Sequence, residues 1–302
     1  MNTVGVDIGG TKVKAGIVDP QGQILNLIEE PTNKRDLAGQ LFSLIERQVS
    51  IKEWNIEGIG IGTAGRVDAA GAIHYATANL PGWMGTKVKQ LVKERFHLPT
   101  VVDNDANCAA YAEMELGSAK QERNFICITI GTGVGAGIMI NGELFHGVNG
   151  GAGEIGHMIY IPGGRPCGCG KKGCWEQYVS GTALALDINE HNELAHKNIR
   201  PEDLFELAAG KDPCAMEVVA RFIKNLAVGI VSLQNILDLH FFVIGGGVIH
   251  SSHHWWELLV KELQSITDQP PVARKALLKN DAGMLGAALL ARNIPVLKGR
   301  GA

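Results

Sequence analysis

Residues 3–12 read Thr-Val-Gly-Val-Asp-Ile-Gly-Gly-Thr-Lys, a pattern of strand and turn from which the predicted fold follows. Its apolar first half predicts a buried strand, and the adjacent Gly9 and Gly10 predict a tight turn into a second strand that ends at Val18. Because glycine has no Cβ, the backbone N–H groups of such a turn can approach a phosphate group closely. The stretch therefore predicts a strand, a phosphate-sized turn and a returning strand.

The same pattern returns 122 residues later, when Gly9 is placed on Gly131. Asn124–Ile130 predicts a strand, Gly131–Gly135 a glycine turn, and Ala136–Ile140 a second strand. Any two glycine-rich hairpins resemble each other, so the repeat leaves that simpler interpretation open. An internal duplication would instead produce two similar α/β domains with a cleft between them.

The composition restricts the class of protein. The chain has 302 residues, 45% of them hydrophobic, with a formal net charge of −3. This length allows a large core and predicts two domains. The near-neutral charge gives no support for binding to nucleic acid or to an anionic membrane. No apolar run reaches the ~18 residues that span a bilayer, and the first residues lack a signal-peptide pattern, so we expect a cytoplasmic protein.

Three glycine turns, each after a predicted strand, indicate a nucleotide-binding protein. They are Gly9-Gly10-Thr11-Lys12, Gly131-Thr132-Gly133 and Gly245-Gly246-Gly247. None has the Walker spacing or the surroundings of a dinucleotide fingerprint, so each alone is a weak signal. Asp7, at the end of the first strand, is a candidate ligand of Mg²⁺, because this ion prefers oxygen ligands.

A cluster of polar residues at 103–107 lies where a short predicted strand passes into a predicted helix. A single acidic residue here would be explained as a helix cap. Several polar groups at a strand end are instead typical of a ligand site in an open α/β sheet. Asp105 is therefore a candidate general base that removes a proton from a substrate hydroxyl, and Asn104 a candidate for orienting that hydroxyl.

The most specific local signal is a set of three cysteines and one histidine with the spacing H-x9-C-x-C-x4-C. The set is His157, Cys167, Cys169 and Cys174. Three thiolates and an imidazole form a closed tetrahedral Zn²⁺ site of the structural type, and free thiols in a loop are the alternative. Glu154 and Glu176 flank the loop and are candidates for binding the hydroxyls of a polyol, although either alone could be a solvated surface residue.

Two further predictions concern packing. The other three cysteines (Cys108, Cys127, Cys214) lie in helix or strand patterns and are expected to be buried apolar groups. Asn79-Leu80-Pro81-Gly82-Trp83 is an unusual turn that is expected to expose Asn79 and Trp83, and a hydrophobic plug on a loop is the alternative.

Taken together, these residues resemble the ROK family, named for repressors, open reading frames and sugar kinases. The resemblance covers nearly the whole chain. The zinc segment with its flanking glutamates is its most specific part, and the glycine turns are the least specific. It is carried by Asp7-x-Gly9-Gly10-Thr11-Lys12, Asn79–Trp83, Asn104-Asp105-Ala106-Asn107, Gly131-Thr132-Gly133-x-Gly135, Glu154-Ile155-Gly156-His157 and Cys167–Glu176.

The resemblance implies a fold and a division of the chain. The fold would be a pair of actin-like, ribonuclease-H-like α/β domains around a cleft, with a zinc-stapled loop in the second. The first domain would span residues 1–117 and be completed by the C-terminal helix 283–302. The second, larger domain would span residues 118–282.

The resemblance also implies transfer of the γ-phosphoryl group of ATP, with Mg²⁺, to the 6-hydroxyl of a hexose. Asp105 would be the catalytic base. The sugar would be bound by Asn79, Asn104, Glu154, His157 and Glu176. The nucleotide would be bound by Asp7 and the three glycine turns. His157 would also bind the structural Zn²⁺ together with Cys167, Cys169 and Cys174. Family members commonly form dimers, so a homodimer is expected.

The sequence motifs leave the choice of hexose open. The run Gly173–Gly181 resembles glucokinase-type members most, whereas N-acetylmannosamine and N-acetylglucosamine kinases share nearly every motif. Polyphosphate could replace ATP as donor, but nothing basic in the chain indicates it. A sugar-responsive transcriptional regulator is the rival from another class. It is disfavoured because Asp7 leaves no room for a preceding helix-turn-helix and the net charge is −3.

Overall fold

The computed structural model describes residues 1–76 and 79–294. Its strands are β1 (Asn2–Ile8), β2 (Lys12–Val18), β3 (Ile24–Pro31), β4 (Ile56–Thr63), β5 (Arg66–Val67), β6 (Ile73–Tyr75), β7 (Thr100–Asn104), β8 (Phe125–Ile130), β9 (Val134–Ile140), β10 (Glu143–Leu144), β11 (Phe241–Gly245) and β12 (Val272–Lys275). Its α-helices are α1 (Leu37–Val49), α2 (Val88–Phe96), α3 (Asp105–Glu115), α4 (Glu176–Val179), α5 (Gly181–Glu190), α6 (Asn192–Ala195), α7 (Pro201–Ala209), α8 (Pro213–Leu237), α9 (Ser252–Ile266) and α10 (Ala282–Arg292). Residues 295–302 of the predicted C-terminal helix lie outside the described residues.

The chain divides into two compact units. The first contains Met1–Lys120, Leu144–Ala152 and the chain from Asp281 onward, and the second contains Gln121–Glu143 and Gly153–Asn280. The short segment Leu144–Ala152 therefore belongs to the first unit although the second unit surrounds it in sequence.

The first unit is built on a five-stranded sheet of order β3-β2-β1-β4-β7. β1 pairs antiparallel with β2 and parallel with β4, and β4 pairs parallel with β7. Along β1 the side chains alternate between the two faces of the sheet. Val4, Val6 and Ile8 join a core with the apolar face of α1, including Leu41.

The opposite face of this sheet is covered closely by α10. A Cβ on Gly5 would overlap the carbonyl oxygen of Met284, and a Cβ on Gly60 would overlap that of Ala287. Glycines at these two strand positions therefore let the helix backbone lie against the sheet. Asp7 is on this same face, beside Gly283 in the first turn of α10.

The second unit repeats this arrangement with a sheet of order β10-β9-β8-β11-β12. β8 pairs antiparallel with β9 and parallel with β11, as β1 does with β2 and β4. The core lies between the sheet and the helices, where α8 buries residues such as Phe222, Leu226 and Ile230. The equivalent strand pairing in the two sheets is the repeat that the two glycine-turn segments predict.

Within the described residues, the search for a helix that is both long and apolar enough to cross a lipid bilayer finds none.

Candidate active site

The first glycine turn connects β1 to β2 in the first unit. The N–H of Gly9 donates to the carbonyl of Lys12 at 3.0 Å, and the Thr32 hydroxyl donates to the Gly9 carbonyl at 2.7 Å. A Cβ built on Gly10 would lie 3.1 Å from Asn79 Cβ, so the predicted sugar ligand Asn79 packs directly against the turn. The predicted turn is therefore present, and two of the predicted site segments meet there.

Asp7 has an unusual electrostatic environment. Burial, together with repulsion from Asp105, raises the pKa of the Asp7 carboxyl to about 7, although Lys14 and Lys12 act in the opposite direction. Loss of hydration destabilises the ionised carboxylate in such a position. A cation bound near Asp7 would compensate for both the burial and the repulsion.

Asn104 and Asp105 lie where β7 passes directly into α3. The Asn104 Oδ1 atom accepts hydrogen bonds from the backbone N–H groups of Ala106 (2.8 Å) and Asn107 (3.2 Å), as an N-cap does. Its Nδ2 atom donates to the Gly65 carbonyl at 2.9 Å. Asp105 is the first helical residue and is half-buried, with Oδ1 accepting from the Ala106 N–H at 2.9 Å. Through these hydrogen bonds, the Asn104 side chain fixes the turn that carries Asp105.

Trp83 is buried, and the prediction that it is exposed is wrong. Its side chain is 2% exposed, and its indole Nε1 donates to the Thr63 hydroxyl at 3.0 Å. Thr63 ends β4, so the indole connects the Asn79–Trp83 turn to the sheet. Burial of an indole is stable when its N–H has an acceptor, as here.

The four predicted zinc ligands come together in the second unit. Each residue offers one ligand atom, a ring nitrogen or a sulfur, and these four atoms all lie within 4.8 Å of one another. The residues are His157, Cys167, Cys169 and Cys174. The Cys169 and Cys174 sulfurs are 3.5 Å apart, close to the roughly 3.8 Å expected for two thiolates bound tetrahedrally with Zn–S bonds of about 2.3 Å. The cluster therefore fits Zn²⁺ both in ligand type and in spacing.

The ring of His157 faces two different groups. Its Nδ1 atom is 3.6 Å from Cys167 Sγ, whereas its Nε2 atom is 3.8 Å from Glu154 Oε2. One ring nitrogen is thus directed at the cluster and the other at a predicted sugar ligand. Metal-bound histidines commonly hold a carboxylate or carbonyl at the second nitrogen.

Glu176 lies next to the cluster as well. Its Oε2 atom accepts a hydrogen bond from the Val134 N–H at 2.9 Å, and its Oε1 atom is 3.9 Å from Cys167 Sγ. Val134 follows the second glycine turn, so Glu176 connects that turn to the cluster. In the second unit, Glu154, His157 and Glu176 are therefore neighbours of one cluster, as the sequence predicts for the two flanking glutamates.

Two anchors hold the cysteine loop against the helices. Trp175 is fully buried, and its indole N–H donates to the Asn225 carbonyl of α8 at 2.9 Å. A Cβ on Gly229 would overlap this indole, so the glycine makes room for it. The Arg165 guanidinium is 2.6 Å from Asp187 Oδ1, and the Asp187 side chain is only 4% exposed.

The second and third glycine turns line the same cavity in the second unit. It has a volume of about 680 Å³ and includes Gly131, Thr132, Thr182, Phe205 and Gly247 in its lining. The backbone at Gly246 has φ of 85°, and a Cβ there would overlap the Ile130 backbone, so this position requires glycine. A mostly apolar cavity with glycine turns at its wall can hold a base and ribose beside a phosphate chain.

The other cysteines divide differently from the prediction. Cys108 and Cys127 are buried, as predicted. Cys214, which begins α8, is instead half-buried, and its thiol donates to Glu193 Oε2 at 3.0 Å. Cys214 thus packs at the edge of the core and not within it, because the first turn of this helix lies near the surface.

The sequence interpretation missed two residue pairs near the predicted site residues. Asp103 Oδ2 is 2.7 Å from His146 Nε2 in the first unit, and Arg165 is paired with Asp187 in the second. The partners in these pairs are 43 and 22 residues apart. A sequence motif shows only near neighbours, so no local signal could identify either pair.

Comparison with known proteins gives consistent results. A model of the ROK family matches residues 3–294. The glucokinase of Halalkalibacterium halodurans is 37% identical over 316 residues, which cover 96% of this chain and 94% of the relative. The N-acetylmannosamine kinase of Yersinia pseudotuberculosis is 31% identical, covering 95% and 97%. A solved ROK family glucokinase from Streptomyces griseus, in complex with glucose and AMPPNP, is 33% identical with a TM-score of 0.82, covering 97% and 99%.

The two repeated sheets, with glycine turns at their strand ends and a Cys/His cluster in the second unit, define the mixed α/β fold of these sugar kinases. The chain belongs to the ROK family.

Proposed function

We propose that this chain is an ATP-dependent sugar kinase that phosphorylates glucose at the 6-hydroxyl. The observation that carries the proposal is the polar junction of β7 and α3, with Asp105 as the first helical residue, in a chain 37% identical to a glucokinase over 96% of its length. Phosphoryl transfer requires a group that positions the acceptor hydroxyl and takes its proton.

Asp105 would act as the general base. As the sugar O6 atom forms its bond to the γ-phosphorus, the bond from that phosphorus to the bridging oxygen breaks and ADP leaves. The proton of the 6-hydroxyl passes to the Asp105 carboxylate. Asn104 holds the turn that carries Asp105, through its bonds to Ala106 and Gly65.

The other sugar contacts are proposed for Asn79 in the first unit and for Glu154, His157 and Glu176 in the second. Carboxylates and an imidazole together can accept and donate hydrogen bonds to several hydroxyls. The Zn²⁺ that we propose at His157, Cys167, Cys169 and Cys174 would be structural, because four protein ligands leave no open position for a catalytic water. It would orient His157 and the loop that ends at Glu176.

The nucleotide is assigned to the three glycine turns. The cavity of about 680 Å³ lined by Gly131, Thr132 and Gly247 suits the adenosine part. Asp7 suits an Mg²⁺ ligand, because burial and repulsion from Asp105 destabilise its ionised carboxylate and a nearby cation would offset both. Bound Mg²⁺ would supply positive charge that offsets the phosphates.

The test is an ADP-coupled assay with the purified chain on glucose, N-acetylmannosamine, N-acetylglucosamine, mannose and fructose. The proposal expects the highest kcat/KM with glucose. N-acetylmannosamine kinase is the second candidate, supported by the 31% identical relative, and a preference for that sugar would replace glucose in the assignment. Absence of ATP-dependent turnover on all five sugars would contradict the kinase proposal.

Three further parts of the proposal need separate experiments. Light scattering after gel filtration tests the expected homodimer, and fractionation tests the expected cytoplasmic location. Limited proteolysis tests the domain boundary near residue 117.

A further inference from the structure

Asp103 is the buried centre of a small hydrogen-bond network beside Asp105. Its Oδ1 atom accepts from the Asn104 backbone N–H at 2.7 Å and from Asn107 Nδ2 at 2.8 Å. Its Oδ2 atom is 2.7 Å from His146 Nε2. The Asp103 side chain is 9% exposed, so its lone pairs must be satisfied within the protein.

His146 is held in place by its own segment, Leu144–Ala152. The Ala152 N–H donates to the His146 carbonyl at 3.1 Å, which closes the loop. A Cβ on Gly150 would overlap the Val67 carbonyl, so the loop packs tightly against β5. The imidazole is therefore presented to Asp103 by a closed loop that packs against β5 at Gly150.

Asp103 lies in a group of acidic side chains. The carboxylates of Asp103, Asp7 and Asp105 all act on the Cys108 thiol and, with its burial, raise its pKa well above the ordinary value. Three carboxylates this close repel one another. The hydrogen bond to Asp103 raises the pKa of His146, and a bond to the Leu144 carbonyl acts in the same direction. The contact with Asp103 therefore favours the protonated form of the His146 ring.

We propose that His146 is a positioning residue for phosphoryl transfer, acting through Asp103 to hold the Asn104–Asp105 turn in its productive geometry. The inference rests on the proposed function, in which Asp105 takes the proton of the acceptor hydroxyl. His146 fixes the orientation of the Asp103 carboxylate, and the opposite oxygen of that carboxylate fixes the Asn104 backbone and Asn107. A small displacement of a catalytic group is costly, because the reaction depends on near-attack geometry.

The experiment uses two matched substitutions of the histidine. His146→Gln keeps an N–H donor close to the position of Nε2, whereas His146→Asn is one methylene shorter and withdraws it from Asp103. We expect His146→Asn to lower kcat about tenfold with a sugar KM changed less than about threefold, as expected when the loss falls mainly on the chemical step. His146→Gln should retain most of kcat.

His74 provides the control, because it lines the same cavity of about 660 Å³ as His146. It is exposed, and His74→Asn should leave kcat unchanged. Equal kcat for His146→Gln and His146→Asn, or a loss in His146→Asn that is confined to KM, would overturn the inference.

Two measurements separate this inference from the proposed function and from simple unfolding. Amide hydrogen exchange at residues 104–107 does not depend on turnover, and it should accelerate in His146→Asn and not in His146→Gln. Unchanged exchange in both variants would overturn the inference even if the chain proved inactive on every sugar. A double-mutant cycle with Asp103→Asn should be non-additive, because one substitution already removes the interaction; additive losses in kcat would overturn it as well.

Discussion

Glu176, two residues after the proposed zinc ligand Cys174, accepts a hydrogen bond at 2.9 Å from the backbone N–H of Val134, the first residue after the second glycine turn. The cysteine loop and the second glycine turn, both in the second unit, are thereby joined through one carboxylate. A Cβ on Gly133 would overlap the same Glu176 oxygen. Glycine at this position is therefore a condition for the carboxylate to lie where it does.

Gly133→Ala should displace Glu176 and raise the sugar KM. A shift of about 1 Å in a positioned group can cost on the order of 10²-fold in rate, so we expect a loss of at least about tenfold in kcat/KM for the sugar. Steady-state kinetics with varied sugar and varied ATP measures it. Gly131→Ala, whose Cβ meets no heavy atom within 4 Å, should cost less; equal losses in the two variants would contradict the steric argument.

Asp105→Asn should abolish most turnover and leave sugar binding intact. An amide cannot accept the hydroxyl proton, and loss of a general base costs about 10²–10⁴-fold. The measurements are kcat by the coupled assay and the sugar Kd by calorimetry. Asp238→Asn is the matched control, because the Asp238 side chain is 98% exposed. An Asp105→Asn variant with unchanged kcat would remove Asp105 from the mechanism.

Cys169→Ser should release zinc and destabilise the second unit. Metal binding contributes to the free energy of folding, so the loss of one thiolate lowers both the affinity for zinc and the stability of the fold. Metal analysis of the purified variant and its Tm test this, with Cys214→Ser as control because that thiol contacts Glu193 outside the cluster. One zinc retained per chain in Cys169→Ser would contradict the ligand assignment, and we also expect weaker sugar binding in that variant.

Asp187→Asn and Glu190→Gln test how burial changes the value of an ion pair. Arg165 is 2.6 Å from both carboxylates, but the Asp187 side chain is 4% exposed and that of Glu190 is 60% exposed. Removing one partner of a buried pair costs about 3–5 kcal/mol, whereas an exposed pair contributes about 0–1 kcal/mol. Urea unfolding should show a much larger loss in free energy of unfolding for Asp187→Asn. Similar losses would contradict this explanation.

The stability of the first unit should depend on pH through His146. The hydrogen bond to Asp103 raises the pKa of His146 in the folded state, so the protonated ring is bound more strongly in the folded than in the unfolded chain. Its contribution is complete below the unfolded value of about 6.5 and is lost as the pH rises through the higher folded value. The difference in free energy of unfolding between wild type and His146→Gln should therefore shrink from pH 6 to pH 9.

Asp103→Asn is the control for this pH dependence. Without the carboxylate, the folded-state preference for the protonated ring is weaker, and the curve for that variant should be flatter. The size of the effect is modest, because the His146 side chain is 45% exposed. Parallel curves for wild type and both variants would show that the pair does not contribute.

Local patterns predicted much of the fold. The strand predicted at Asn124–Ile130 is present as β8 (Phe125–Ile130), because its apolar run and the glycine turn after it are local signals. The clustering of the four candidate zinc ligands could be predicted from their spacing, since the turns that bring them together are short. The burial of Trp83 could not be predicted in this way, because Thr63, which accepts the hydrogen bond of its indole N–H, lies 20 residues earlier in the chain at the end of β4.

The strands beside the glycine turns, the glycine turns themselves and the four metal-ligand candidates could be predicted from the amino-acid sequence alone. These features depend on backbone conformation and side-chain period over a few residues. Other contacts became visible only in the folded structure: Asp103 is hydrogen-bonded to His146, Arg165 forms an ion pair with the buried Asp187, and Gly60 packs against the backbone of α10. Such contacts depend on how distant segments pack, and burial, which sets their energies, exists only in the folded chain.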